Sequence, residues 1–510
     1  MKPEDAREEL EKLLESTRDS GRPDAVARRR SKGYRTAREN LEDLCDPGSF
    51  IEYGQLAVAA QRQRRGLEEL RGSTPADGVI TGLATVNAER FGAEATQVAV
   101  IVYDYTVLAG TQGYFHHRKL DRILAVAERE SLPVLMFTEG GGGRPGDTDV
   151  LTQVAGLDLP TFARWAGLAG RVLRIAVNNG YCFAGNAALF GSADLRIATR
   201  NSWIGMAGPA MIEGGGLGRF EPTEIGPVEV QSRNGVIDLL AEDEAEATAC
   251  ARALLGCFQG TVARYDHADP SELIGLLPAD RRYSYHVRRV IETLADTGSF
   301  IELGAEYGPA VVTGFVRIEG RPLGVLANDC RVLGGAIDAA AAAKAARFLR
   351  LCSAHGVGVL SLVDTPGFMV GPDSEKQAAV HHMSDLFVAG AQLEVPLVAI
   401  FLRKAYGLGA MAMTGGSFAE PVYAASWPTG EFGGMGLEGA VRLGYRKELE
   451  AEGDPEKREA LFDRLLAELY QKGRAVEAAT HLEVDAVIDP ADTRRVVSRA
   501  FAAAAETPGP

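Results

Sequence analysis

Short apolar runs alternate with a helical pattern in the first half of the chain. Residues 98–102 form a β-branched run of strand length, and residues 132–137 form a second one. Between them, residues 114–130 carry apolar side chains at the three- and four-residue spacing of a helix with one buried face. This order predicts parallel strands with a helix packed across them, because crossovers between parallel strands are right-handed.

The second half of the chain repeats the same order. An apolar run at residues 323–327 precedes an alanine-rich helical pattern at residues 339–354 and a further apolar run at residues 357–363. We therefore expect an α/β fold in which each half builds a mostly parallel sheet layered with helices.

Sequence matches between the two halves indicate an internal duplication. DPGSFIE at residues 46–52 returns as DTGSFIE at residues 296–302. VITG at residues 79–82 then returns as VVTG at residues 311–314. Several matches in one order are not expected by chance, so we predict two copies of one structural unit.

The duplication predicts where the chain divides. Farther along, the copies are offset by a steady 225 residues, which matches Lys119 with Lys344. Residues 260–285, which contain prolines and many charges, are expected to link the copies. The predicted domains are residues 1–265 and 266–510.

Each copy also has a strand-to-helix junction rich in small residues. GYCFAGNAA at residues 180–188 follows the apolar run at 172–178, and RKAYGLGAMAM at residues 403–413 follows the run at 395–402. The first N–H groups of a helix have no partner within it, and the helix dipole adds partial positive charge there. Small residues let a substrate oxygen approach, so each junction is a candidate oxyanion hole. Such residues also serve close helix–sheet packing, and both interpretations stay open at this point.

Glycine-rich turns follow other predicted strands. EGGGGR at residues 139–144 and DTPGF at residues 364–368 occupy matching places in the two copies. The chain has no GxxxxGK[ST] sequence, which argues against a Walker-type ATP site. The glycines at residues 214–218 follow no clear strand, so they do not indicate a dinucleotide fingerprint.

Composition and charge narrow the function further. A net charge of −15 without a basic stripe argues against a general nucleic-acid binder, although a local basic pocket can still hold a small polyanion. The six cysteines lack CxxC spacing and the histidine pairs lack i,i+4 spacing, so no metal site is expected. A polar N-terminus and the lack of long apolar runs predict a cytoplasmic protein with no membrane contact.

Several segments in one order resemble the carboxyltransferase subunits of biotin-dependent acyl-CoA carboxylases. SKGYRTARE at residues 31–39 is similar to the family's AKGKLTARER, and DPGSFIE is similar to DEGSFVEL. VVTG, DTPGF and RKAYG match the family's VVTGFARI, VDTPGF and RKAYG. Residues 485–495 resemble the C-terminal DDVIDPADTR. The resemblance covers nearly the whole chain.

The resemblance implies two tandem crotonase-like (ClpP/crotonase) domains. In that family the N-terminal half binds acyl-CoA, the C-terminal half binds biotin, and the active site forms between two subunits. A homo-oligomer is therefore expected, either a dimer or a trimer of dimers. The implied reaction moves a carboxyl group from carboxybiotin to the α-carbon of an acyl-CoA.

The same resemblance implies partner proteins. AMAM at residues 410–413 lacks the lysine of the biotin attachment sequence AMKM, so biotin is expected on a partner. The expected partners are a biotin carboxylase and a biotin carboxyl carrier subunit, and the expected substrate is a CoA thioester.

Matching to the family's motifs assigns candidate site residues. Gly185 and Asn186 would supply the N–H groups of the first oxyanion hole, and Gly409 and Ala410 those of the second. One hole would hold the thioester enolate and the other the ureido oxygen of biotin. Further substrate-binding residues are expected among the lysines and in the adjoining loops: Lys119, Gly141, Gly142, Ala184, Lys404, Tyr406, Gly407 and Met411.

Departures from the family's motifs leave the acyl substrate open. Asn186 replaces the second glycine of AGGA, and the second junction is expected to carry one residue more than the usual KAYGGAYD. The segment at residues 208–216 resembles multi-domain long-chain acyl-CoA carboxylases. Two alternatives remain beside the carboxyltransferase: an acyl-CoA decarboxylase of the same fold, with or without biotin, and a non-catalytic assembly subunit.

Overall fold

The computed structural model describes residues 2–150 and 156–505. The chain forms two compact units, Met1–Gly260 and Thr261–Pro510. Of the expected linker, Leu273 and Tyr285 are buried in the core of the second unit, whereas most of the other residues from 261 to 284 are exposed or partly exposed.

The first unit is built on one seven-stranded sheet in the order β1-β2-β3-β4-β5-β7-β9. The first three strands are antiparallel and the others are parallel, while β6 and β8 form a separate parallel pair. The strands are β1 Ile51–Tyr53, β2 Val79–Thr85, β3 Gln97–Tyr103, β4 Val134–Phe137, β5 Arg174–Asn178, β6 Tyr181–Phe183, β7 Leu195–Thr199, β8 Trp203–Gly205 and β9 Leu239–Ala241.

Helices cover this sheet. The helix predicted at residues 114–130 is confirmed, and it buries Leu120, Ile123 and Leu124 in the core. The helices of the first unit are α1 Pro3–Ser16, α2 Pro23–Arg30, α3 Ala37–Leu44, α4 Leu67–Ser73, α5 Ala88–Phe91, α6 Tyr114–Glu130, α7 Thr161–Gly167, α8 Gly185–Gly191, α9 Pro209–Gly214, α10 Val228–Arg233 and α11 Glu244–Gly256.

The second unit repeats this topology with the order β10-β11-β12-β13-β14-β15-β17, and β16 pairs with the far end of β14. Its first three strands are again antiparallel. The strands are β10 Ile301–Leu303, β11 Val311–Ile318, β12 Arg321–Asn328, β13 Val359–Thr365, β14 Leu397–Tyr406, β15 Tyr423–Ser426, β16 Glu431–Gly433 and β17 Ala486–Val487. The repeat seen in the sequence is therefore a repeat of fold.

The helix predicted at residues 339–354 is also confirmed, and the Asp338 carboxylate caps it by accepting from Ala341 N–H. The helices of the second unit are α12 Val287–Leu294, α13 Ala339–Ala354, α14 Pro372–Glu375, α15 Ala379–Ala391, α16 Gly407–Met413, α17 Leu437–Gly444, α18 Arg446–Ala451, α19 Pro455–Lys472, α20 Ala475–Thr480 and α21 Thr493–Ala505. Across the described residues, no helix combines the length and apolarity needed to cross a membrane.

The two junctions differ in how the preceding strand ends. In the second unit, β14 extends beyond the predicted run because its last three residues pair with β16. In the first unit that length is interrupted: β5 ends at Asn178, and β6 begins three residues later in its own two-stranded sheet. In each unit, the chain then enters a helix at the edge of that unit's sheet where the carboxyl ends of the parallel strands lie.

Candidate active site

The first junction places free backbone N–H groups at the start of α8. Ala184 turns the chain with φ 52° and ψ −118°, and α8 begins at the next residue. In the described part of the chain, no acceptor is found for the N–H groups of Gly185 and Asn186. Gly185 is half-buried, so a ligand can reach this helix start. These two donors are the pair expected from the sequence.

The side chain of Asn186 ties the loop after β4 to this helix start. Its Oδ1 accepts from Gly142 N–H at 3.0 Å, and its Nδ2 donates to Thr138 O at 3.0 Å. The side chain is fully buried. The loop lies so close that a Cβ on Gly142 would be 2.8 Å from the Cβ of Ala184. Gly141, by contrast, is exposed on the loop.

The second junction reaches a similar arrangement without a bridging side chain. Gly407 follows β14 directly and turns the chain with φ 58°. A Cβ on Gly409 would be 2.6 Å from the carbonyl carbon of Gly367, so the loop after β13 packs directly on α16. In the described residues, no acceptor is found for the N–H groups of Leu408 and Gly409.

Strand pairing fixes how the two junctions correspond. In the first unit, Ile175 of β5 pairs with Leu195 of β7. In the second unit, Val398 of β14 pairs with Tyr423 of β15. Corresponding residues of β5 and β14 are therefore 223 positions apart in the sequence. The same offset relates Tyr181, the first residue of β6 that pairs with β8, to Lys404, the first residue of β14 that pairs with β16.

Applied to the helix starts, this offset pairs Gly185 with Leu408 and Asn186 with Gly409. Burial agrees, because Leu408 is 61% exposed while Gly409 and Ala410 are buried. The two junctions of this chain thus have equal length. By position, the N–H pair of the second helix start lies one residue earlier than the Gly409–Ala410 pair expected from the sequence.

The lysines are placed differently from the sequence expectation. Lys119 is 8% exposed, and its Nζ donates to Ala76 O at 2.9 Å and to Val79 O. Burial lowers the pKa of this ammonium to about 8. An ammonium enclosed in this way argues against contact with a CoA phosphate. Lys404 is more accessible, although its Nζ donates to Gly334 O at 2.6 Å.

Two of the expected substrate-binding residues of the second unit line a cavity of about 410 Å³. Gly407 and the half-buried Met411 lie in the wall of this cavity, with Phe418 and Phe432. Tyr406 is only 3% exposed and donates its hydroxyl to a carboxylate oxygen of Glu431 at 2.8 Å. Burial raises the pKa of this phenol, which therefore stays protonated and holds the end of β14 in place.

A buried carboxylate precedes each of the two loops. Glu139 receives two hydrogen bonds from Arg29 of α2, at 2.9 and 2.6 Å, and Asp364 lies 3.0 Å from Arg403 of β14. Burial raises the pKa of Glu139 to about 7, while the Arg29 guanidinium acts in the opposite direction. Ion pairs of this kind fix the loops on which both helix starts depend.

Sequence reasoning missed a second cavity of about 270 Å³ in the first unit. Its wall combines basic groups of α2 and the following turn with tyrosine rings. Glu139, directly before the glycine loop, is part of its wall. Its other principal lining residues are Arg28, Lys32, Tyr34, Tyr105 and Tyr181. The available signal was the SKGYR segment at residues 31–35, which brings basic and aromatic side chains together.

With this geometry established, comparison with known proteins identifies the family. The model of the carboxyl transferase domain matches residues 28–509. The chain belongs to this family. A curated relative, the biotin-dependent long chain acyl-coenzyme A carboxylase beta4 subunit of Mycobacterium tuberculosis, is 31% identical over 97% of this chain and 93% of its own length.

Two solved structures agree with the carboxyltransferase assignment. A single-chain, multi-domain long-chain acyl-CoA carboxylase is 56% identical with a TM-score of 0.92, over 98% of this chain and 49% of that chain. This carboxyltransferase therefore spans about half the length of that protein. Transcarboxylase 12S, a hexamer solved with methylmalonyl-CoA bound, is 30% identical with a TM-score of 0.87, over 100% of this chain and 97% of that one.

These matches confirm two expectations. The fold is a tandem pair of crotonase-like α/β units, and the enzyme class is that of acyl-CoA carboxylase carboxyltransferase subunits. Among the described residues, no group of three His, Cys, Asp or Glu side chains is placed to hold a metal ion.

Proposed function

We propose that this chain transfers a carboxyl group from carboxybiotin, carried by a partner, to the α-carbon of an acyl-CoA. The observation that carries the proposal is the presence, in each unit, of a helix start with free N–H groups. Carboxyl transfer develops negative charge on the thioester oxygen and on the ureido oxygen of biotin. Each helix start can stabilise one of these oxygens, and a single such donor typically contributes about 2.7–4 kcal/mol in the transition state.

The first unit is the proposed acyl-CoA side. Arg28 and Lys32 beside the 270 Å³ cavity suit the phosphates of CoA, and the rings of Tyr34 and Tyr181 offer faces for the adenine. Glu139 connects this cavity to the loop that supports Gly185 and Asn186. A CoA bound there would lead its thioester toward the first helix start.

The second unit is the proposed biotin side. Its 410 Å³ cavity has Phe418, Phe432 and Met411 in the wall, which suits a compact bicyclic ring; roughly 150 Å³ already admits benzene. Biotin, when bound, supplies the carboxyl group and the base that removes the α-proton. Neither junction contains His, Asp or Glu, so the chain's own residues there hold oxygen atoms and do not move protons. The N–H groups of Leu408 and Gly409 are the proposed donors.

The partners and the acyl group follow from the same proposal. Biotin carboxylase and the biotin carboxyl carrier are the proposed sources of carboxybiotin, and a homo-oligomer of at least two chains completes each active site. The hexameric transcarboxylase neighbour supports such an assembly. The 56% identity to a long-chain acyl-CoA carboxylase favours a long acyl chain over a short one.

The decisive experiment is incubation of the purified chain with malonyl-CoA or methylmalonyl-CoA, with and without free biotin. The proposal expects CO2 release only when biotin is present. Release without biotin would instead indicate a biotin-independent decarboxylase. A pull-down for a biotinylated partner and an acyl-CoA panel up to long chains would then identify the complex and its substrate.

The alternative of a non-catalytic assembly subunit has its own test. Leu408→Pro removes one N–H near the start of α16, where proline is best tolerated in a helix. The carboxyltransferase proposal expects the activity of the assembled complex to fall by at least tenfold. A complex that keeps full activity with this variant would support the assembly subunit.

A further inference from the structure

A buried glutamine lies beside the first helix start, and the chemistry proposed above does not use its side chain. Gln112 is 4% exposed. Its backbone N–H donates to Gly142 O at 2.8 Å, and its backbone carbonyl accepts from Arg144 N–H at 2.8 Å. Gln112 is therefore fixed to the same loop that packs on α8.

The side-chain amide is fixed as well. Its Nε2 donates to the hydroxyl of Tyr103 at 2.9 Å. Tyr103 is 3% exposed, and its ring centroid lies 4.6 Å from that of His116. A glutamine held at both its backbone and its amide nitrogen has little freedom to turn, so its carbonyl oxygen has a defined direction.

That oxygen points to Gly185, the first residue of α8. A Cβ on Gly185 would be 2.3 Å from Gln112 Oε1, so a Cα–H of Gly185 is directed at this atom. A C–H···O contact favours oxygen over an NH2 group at that place, which supports this orientation of the amide. In the described residues, nothing donates a hydrogen bond to Oε1. Because Oε1 is not one of the unpartnered side-chain atoms that are sealed from solvent, solvent can reach it.

The second unit lacks this acceptor. Ile337 occupies the corresponding position, since it pairs with Phe368 as Gln112 pairs with Gly143. Ile337 is fully buried and offers no polar atom. The oxygen is therefore a feature of the first helix start alone and not a requirement of the shared fold.

We propose that Gln112 is a substrate-binding residue whose Oε1 accepts a hydrogen bond from the amide N–H of the CoA arm nearest the thioester. The inference rests on the proposed function, in which the first unit binds acyl-CoA. A saturated acyl chain has no hydrogen-bond donor, and the first donor beyond the sulfur is this N–H, two methylenes away. With the thioester oxygen held at Gly185, an acceptor beside Gly185 is placed for that N–H.

The test compares two malonyl thioesters in the biotin-dependent reaction. One carries N-acetylcysteamine, which keeps the N–H, and the other carries 5-mercaptopentan-2-one, in which a methylene replaces it. The native chain is expected to prefer the first in kcat/KM by about fivefold to 150-fold, the ratio expected when the second thioester leaves a buried acceptor unpaired. Gln112→Met, of similar size but without the acceptor, is expected to reduce this preference to below twofold, with the KM for free biotin unchanged.

Three outcomes would overturn the inference. They are an equal preference in the native and Gln112→Met chains, a shift in the KM for biotin instead of the thioester, and an equal loss of kcat for both thioesters with the preference intact. The last result would assign Gln112 to ordering the loop. If Gln112→Met does not fold, Gln112→Ile removes the acceptor by introducing the residue that the second unit has at this position. An undiminished preference in that variant overturns the inference equally.

Failure of the proposed function can be recognised separately. Binding of palmitoyl-CoA, a long-chain acyl-CoA, is measured by calorimetry and requires no turnover. If the native chain binds palmitoyl-CoA and Gln112→Met binds it fivefold or more weakly, the contact stands even where carboxyl transfer is not detected. If both chains bind it equally, the inference fails, and if neither binds it, the acyl-CoA assignment on which it rests fails with it.

Discussion

Replacing Gly409 by alanine probes the second helix start directly. The added Cβ would lie 2.6 Å from the carbonyl carbon of Gly367, 2.7 Å from its Cα and 2.9 Å from Phe368 N. All three are backbone atoms, so no side-chain rotation can make room. The loop after β13 and the start of α16 must move apart.

The size of that movement sets the expected loss. Ordinary contact begins at 3.4 Å, so the two segments must separate by about 0.8 Å. A hydrogen bond of about 2.9 Å stretched by that amount exceeds the distance at which it is effective. Loss of one oxyanion donor costs about 2.7–4 kcal/mol, so kcat should fall about 10²- to 10³-fold.

The assay is biotin-dependent CO2 release from malonyl-CoA, measured with Gly409→Ala and with Gly444→Ala as control. Gly444 lies in the same unit, and a Cβ there would meet nothing within 4 Å. Overpacking can itself destabilise the fold by about 1–3 kcal/mol, so melting temperatures are compared first. If folded Gly409→Ala retains kcat within twofold of the control, the second helix start is not an oxyanion hole.

Three other predictions concern the first unit. Asn186→Gly keeps the backbone N–H but releases Gly142, so kcat should fall about tenfold while the KM for biotin stays constant; a constant kcat would show that the bridge is dispensable. Arg28→Ala combined with Lys32→Ala should raise the KM for acyl-CoA at least tenfold, and the effect should shrink in high salt, where exposed charges are screened. Lys119→Met should leave the KM for acyl-CoA unchanged but alter the pH dependence of stability. Burial lowers the pKa of the Lys119 ammonium from 10.5 to about 8. The unfolded chain therefore binds this proton more tightly than the native chain, and native stability rises with pH between these two values. The variant should lack this rise, on the order of 3 kcal/mol across the window, in denaturant titrations at several pH values; identical slopes would contradict the assigned cause.

Periodicity and repetition were sufficient to predict the architecture. The helices at residues 114–130 and 339–354 follow the predicted bounds because each has a buried face along its length. The end of β14 was not predictable, since its last residues are held by β16, which lies well beyond the apolar run. Local patterns cannot reveal a partner strand that is distant in sequence.

The site was only partly accessible from the sequence. Small residues after a strand identified both helix starts, because backbone donors need space more than particular side chains. Which residues of the two helix starts correspond could not be predicted from the sequence, since the register depends on pairing between β6 and β8 and between β14 and β16. Lys119 was assigned to phosphate binding from its charge, and only the fold shows that its ammonium meets two backbone carbonyls.

Under the proposed function, one architecture would serve two different oxygens through the two helix starts. Their N–H groups belong to the backbone, so most substitutions leave the donors in place while the surroundings change. Asn186 bridges to Gly142 in the first unit, whereas Gly409 lets the loop pack directly on α16 in the second. Gln112 presents an acceptor in the first unit where Ile337 presents none in the second. Stabilisation of the oxyanion is thus separated from substrate recognition: the shared backbone would supply the first, and the side chains that differ between the copies would supply the second.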